Sequence, residues 1–81
     1  MSLEKLRTAR TVAGIHQVCR AVQSGAAEMV FIASDVDAKV LRELLAACGD
    51  AGIIPDRSAT KAELGAAVHL DVGAAAVAKL R

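Results

Sequence analysis

The chain has neither tryptophan nor tyrosine, and Phe31 is its only aromatic residue. It holds one proline, Pro55, and two cysteines, Cys19 and Cys48. Two cysteines cannot make a disulfide framework, and their places on apolar helix faces mark them as ordinary buried thiols. No CxxC is present and no histidines and cysteines recur at metal-ligand spacing, so the sequence points to no metal and no other cofactor. The glycines form neither a phosphate-binding loop nor a dinucleotide fingerprint. No run of about 18 apolar residues occurs, so no membrane span is expected. The opening Met1-Ser2-Leu3-Glu4-Lys5 lacks the apolar stretch of a signal peptide, and a cytoplasmic protein is expected. The formal net charge of +1 offers no bulk attraction to nucleic acid or to a membrane.

What is present is a short, apolar chain. Its 81 residues suffice for one core, hence a single domain over 1–81. Hydrophobic residues make up 54%, yet 18 of them are alanine. A core of such small side chains lets helix and sheet approach closely.

The hydrophobic pattern predicts alternating helices and strands. Ser2 caps a helix from Leu3 to about Ala9, and Thr11-Val12-Ala13 forms a short strand broken by Gly14. Ile15, Val18, Cys19 and Val22 recur at helical spacing, giving a helix from Ile15 to about Gln23 that Gly25 ends in a left-handed cap. Met29-Val30-Phe31-Ile32-Ala33 is apolar without alternation, which reads as a central strand covered on both faces. Asp37 caps a long helix, about Ala38 to Ala51, closed by Gly52. Val40, Leu41, Leu44, Leu45 and Cys48 fall on its buried face; Lys39, Arg42 and Glu43 fall on the other. Ile53-Ile54-Pro55-Asp56-Arg57 reads as a short edge strand. Thr60 and Glu63 make a capping box for a helix from about Lys61 to Ala67, Val68 to Gly73 is a loop, and Ala74 to Ala78 is the last strand. The expected fold is α/β: a three-layer α-β-α sandwich around a small mixed sheet of about four strands.

Two stretches could carry function. The first is the junction Gly14-Ile15-His16-Gln17-Val18-Cys19-Arg20. A helix N-terminus offers free N–H groups and a positive dipole end, and Gly14 permits close backbone approach. Gln17 donates and accepts at base edges, Arg20 makes a two-pronged contact to guanine or phosphate, and His16 stacks or donates. Residues 1–20 carry a net +3 and the remainder −2, so the basic bias lies at this end. The plain alternative is a solvated polar face. The second stretch is the loop, where Leu70 and Val72 flank Asp71; exposed apolar side chains there suit unstacked bases or a protein partner, unless both fold back on the core. Asp35 and Asp37 read as helix caps, His69 as a capping or surface residue, and no constellation supports catalysis, so the protein is not expected to be an enzyme.

Three stretches in register resemble one family. Val12-Ala13-Gly14-Ile15-His16-Gln17-Val18-Cys19-Arg20-Ala21 with Gly25 is similar to the RNA-contact helix of the ribosomal L7Ae family. Phe31-Ile32-Ala33-Ser34-Asp35-Val36-Asp37 resembles its strand and following cap. Glu63-Leu64-Gly65-Ala66-Ala67 and Leu70-Asp71-Val72-Gly73-Ala74-Ala75-Ala76-Val77-Ala78 resemble its last helix, specificity loop and final strand. The resemblance implies a ribosomal-protein-like, monomeric binder of structured RNA, the kink-turn, in which sheared G·A pairs stand beside a three-nucleotide bulge; a ribosomal RNA or a riboswitch could supply it. It implies that Gly14, Ile15, His16, Gln17 and Arg20 meet the major groove, that Asp37 stands beside the extruded nucleotide, and that Leu70, Asp71 and Val72 cover the bulge. The family usually has Asn or Lys where this chain has His16, often Glu at Gln17, and Lys at Arg20. A protein-interaction or assembly module that docks through Leu70–Val72 without specific RNA binding is the alternative.

Overall fold

The structure, a computed structural model, describes residues 10–81. The helix expected over residues 3–9, with its Ser2 cap, lies outside the described residues. Strand β1 is Thr11–Ala13, helix α1 Ile15–Gln23 and strand β2 Ala27–Ile32. A 3₁₀ turn, Ala38–Leu41, leads into helix α2, Arg42–Ala51. Helix α3 is Lys61–Ala67 and strand β3 Ala76–Leu80.

Local chemistry accounts for the boundaries. Gly14 leaves β1 and enters α1 at φ 99° and ψ 146°, a conformation essentially confined to glycine. The α1 helix closes on Gly25, where the Ala26 N–H reaches the Ala21 carbonyl at 2.9 Å, and α2 closes the same way on Gly52 with the Ile53 N–H on the Cys48 carbonyl at 2.9 Å. The Asp37 carboxylate accepts the Lys39 N–H at 2.9 Å. The Thr60 hydroxyl accepts from the Glu63 N–H while the Glu63 carboxylate accepts from the Thr60 N–H, which is the expected capping box.

The sheet corrects three expectations. Among the described residues it has three strands in the order β1-β3-β2, paired antiparallel throughout, where about four in a mixed sheet were expected. The fourth, Ile53–Arg57, shrinks to one parallel bridge between Asp56 and Phe31. The Asp56 N–H donates to the Val30 carbonyl at 2.9 Å, and the Asp56 carbonyl accepts from Ile32 at 2.8 Å. The next donor toward β2, the Ser58 N–H, turns instead to the Asp56 carboxylate at 2.9 Å, and the ladder ends. The middle of the three-stranded sheet belongs to β3, and β2 lies beside it. Finally, β3 begins two residues later than expected, because Ala74 and Ala75 are spent on tying the preceding loop to its neighbours.

Strand alternation sorts the apolar side chains onto the two faces of the sheet. Val30, Ile32, Ala76 and Ala78 join one cluster with Val18, Cys19 and Val22 of α1 and Leu44 and Cys48 of α2. Phe31, Ala33 and Val77 join a second with Leu64 and Ala67 of α3. Ala76 and Ala78 are fully buried, so alanine on the middle strand is what admits α1 so near the sheet. The two free cysteines are buried in the first cluster, where burial, and secondarily Cys19, pushes the Cys48 thiol up. Val40, expected in the core, is instead 55% exposed. The tighter 3₁₀ winding advances about 120° per residue rather than 100°, turning Val40 off the stripe while Leu41 stays in it.

Candidate nucleic-acid interface

One end of the sheet gathers the sequence-predicted residues. The antiparallel register sets Ala13 opposite Val77 and Ile32 opposite Ala76. The last residues of β1 and β2 and the first of β3 therefore share an edge. From it emerge the start of α1, the segment 33–41 and the loop that precedes β3. Backbone bonds lock the three together. The Gly14 N–H donates to the Ala76 carbonyl and the Ala33 N–H to the Ala75 carbonyl, both at 2.9 Å. The Asp35 carboxylate accepts the Lys61 N–H at 2.9 Å, and the Lys61 carbonyl accepts the Ala74 N–H at 3.0 Å. Asp35 thus caps α3 across the chain, while Asp37 caps its own turn.

The α1 tip is open. Among the described residues, no side chain caps it, no acidic residue stands in its first turn, and nothing lies within 4 Å of where a Cβ on Gly14 would sit. His16, Gln17 and Arg20 are exposed, whereas Ile15 is half-buried against the core. At about 100° per residue, Arg20 lies some 40° from His16 around the helix and Gln17 a further 60° on. From the same edge the loop presents Val72, 94% exposed, and Leu70, 40% exposed, with Asp71 exposed between them. Val72 stands clear of the core, whereas Leu70 is more than half covered.

The loop is held by contact at a glycine. A Cβ on Gly65 would stand 2.8 Å from the Leu70 carbonyl oxygen and 2.9 Å from the Gly73 nitrogen, so α3 and the loop meet only because that side chain is absent. His69 turns the chain out of α3 at φ 63°, the one non-glycine among the described residues with positive φ, and the Leu70 N–H reaches the Gly65 carbonyl at 2.7 Å. This makes His69 a capping residue.

An open cleft of about 880 Å³ runs beside the α1 tip. Ile15, His16 and Cys19 form one side; Lys39, Val40, Arg42 and Glu43 form the other, with Ala75 between. Gln17, Arg20 and the loop tip do not line it. The pattern of the sequence assigns Lys39, Arg42 and Glu43 to a solvated face and misses their place opposite His16. The only signal is the pair of cations three residues apart after the Asp37 cap. Among the described residues, no group of histidine, cysteine and carboxylate side chains is placed to hold a metal ion, and no helix is long and apolar enough to cross a membrane.

Comparison with known proteins gives a consistent result. Residues 2–81 match the model of the ribosomal protein L7Ae/L30e/S12e/Gadd45 family. An RNA-binding protein of Geobacillus thermodenitrificans and the RNA-binding protein YbxF of Geobacillus stearothermophilus are each 38% identical over 82 aligned positions, covering all of both chains. Among solved structures, a Bacillus halodurans protein of unknown function superposes with a TM-score of 0.87 at 25% identity, covering 98% of this chain and 83% of its own. The 15.5kD RNA binding protein of Giardia lamblia superposes at 0.86 with 26% identity, covering 98% and 70%.

Proposed function

From a chain that belongs to the ribosomal protein L7Ae/L30e/S12e/Gadd45 family, we propose a non-catalytic RNA-binding protein whose single domain, residues 1–81, recognises kink-turn RNA in the cytoplasm as a monomer. The observation that carries this reading is the shared sheet end: an uncapped helix tip and an exposed apolar loop both border the start of β3, where the Gly14 N–H donates to the Ala76 carbonyl. A kink-turn offers both surfaces a partner. Its sheared G·A pairs expose guanine edges, for which Gln17 and Arg20 supply donors and an acceptor. Its bulge exposes unstacked bases, against which Leu70 and Val72 pack while Asp71 stays in water. Gly14 has no side chain to hold the RNA backbone away from the first turn of α1. His16 lines the cleft beside that turn, and Asp37 stands in the segment that leaves the same sheet edge. The relatives described as RNA-binding proteins support the same direction.

The protein works by differential affinity. It binds the bent RNA more tightly than the extended form and so shifts the population, with no bond made or broken. A gel shift on a kink-turn RNA, and on the same RNA with Watson–Crick pairs in place of the G·A pairs, tests this. The kink-turn is expected to bind at least about tenfold tighter, which corresponds to about 1.4 kcal/mol. Equal affinity would overturn the reading. If instead RNA affinity is absent and Leu70→Asp breaks a protein complex, the near-complete exposure of Val72 belongs to a protein-docking face.

A further inference from the structure

We propose that Lys39 and Arg42 form a second contact to the RNA, gripping the ribose-phosphate strand that leaves the α1 tip through the cleft facing His16. This inference rests on the kink-turn reading and adds to it a part of the molecule that reading does not use. Three observations carry it. The cleft is continuous with the tip, since Ile15 and His16 line it. Its lining divides by chemistry: Ile15, Cys19, Val40 and Ala75 are apolar, as suits a sugar or base face, while His16, Lys39 and Arg42 are donors, as suits phosphate oxygens. Both cations are exposed, and neither has an ion-pair partner among the described residues, where the one bridge joins Lys79 to Glu28.

Glu43 sets the direction of the track. It lines this cleft and also the neighbouring groove between α1 and α2, which Asp50 borders too. Two carboxylates therefore stand along the way from one groove into the other, and they repel a polyanion. The strand passes along the Lys39 end and stops short of the α1–α2 groove. Val40 has its 55% exposure on this path, where it meets the apolar edge of a ribose.

The experiment compares two double variants that remove the same charge. Lys39→Gln with Arg42→Gln strips the cleft of its cations; Lys79→Gln with Arg81→Gln neutralises the far end of β3. Affinity for a kink-turn RNA and for its Watson–Crick-paired control is measured from about 50 to 300 mM salt. Removing one cation that pairs with a phosphate flattens the slope of log K against log salt by roughly 0.7 to 0.9, so the slope of the cleft variant is expected to be shallower by roughly 1.5. Its preference for the kink-turn over the control should stay within about twofold of the wild type, because phosphate contacts position without reading sequence. The far-end variant should keep the wild-type slope. Equal flattening in both variants, or none in the cleft variant, overturns the second contact alone. A wild-type chain with no preference for the kink-turn overturns the second contact and the kink-turn reading together.

Discussion

At the scale of single residues, the account turns on what a few side chains present and what two glycines omit. Arg20 is legible in the sequence as a cation on the polar face one turn from the helix start, and it is exposed with no partner among the described residues. Replacing it with alanine should weaken kink-turn binding by about 1–3 kcal/mol, read as a change in Kd, while thermal stability stays unchanged. An unaltered Kd would remove α1 from the interface. Gly65 belongs to a recognisable stretch, yet the reason for glycine there is not readable along the chain, because the crowding comes from Leu70 and Gly73 across a tertiary contact. Gly65→Ala should cost about 1–3 kcal/mol in urea unfolding, since backbone atoms cannot step aside as a flexible side chain would. A neutral result would mean that α3 and the loop do not meet as closely as the structure has them. His69 is readable as a cap, but its left-handed φ is not, since a non-glycine rarely adopts it.

At the scale of elements, helices are more legible than strands. The limits of α1 follow from an apolar stripe between two glycines and the start of α3 from its capping box, which is local chemistry. The order of strands is not local. Burial on both faces depends on the layers above and below, so Met29–Ala33 and the alanine run before Leu80 carry the same mark, and the run that lies in the middle is the weaker strand former. The segment 53–58 keeps one bridge to β2, at Asp56, and the side chain that ends the ladder there is not readable along the chain. There the Ser58 hydroxyl and N–H both donate to the Asp56 carboxylate, at 2.6 and 2.9 Å, and hold its pKa below the ordinary value, the hydroxyl contributing more. A carboxyl with a lowered folded pKa stabilises fully above its unfolded value, about 3.9, and that contribution fades as pH falls through the lowered folded value. An NMR titration should place the Asp56 midpoint below that of an unperturbed aspartate, and Ser58→Ala should move it upward. A midpoint that ignores Ser58 would assign the shift to another cause.

At the scale of the whole molecule, the candidate interface is assembled by antiparallel register. Because β1 and β2 end where β3 begins, residues as distant in sequence as His16 and Val72 come to one end of one sheet. Charge shows the limit of reading along the chain: the bias toward the first twenty residues is visible there, but Lys39 and Arg42 join His16 only once α2 packs beside α1. The central claim is that this end captures RNA in its sharply bent form. The most direct measurement is energy transfer between dyes on the two arms of a kink-turn RNA, titrated with protein in magnesium-free buffer. The account predicts that efficiency rises from that of the extended RNA to that of the bent form as the protein saturates, with the Watson–Crick-paired control unmoved. Saturable binding that leaves the distance between the arms unchanged would contradict it.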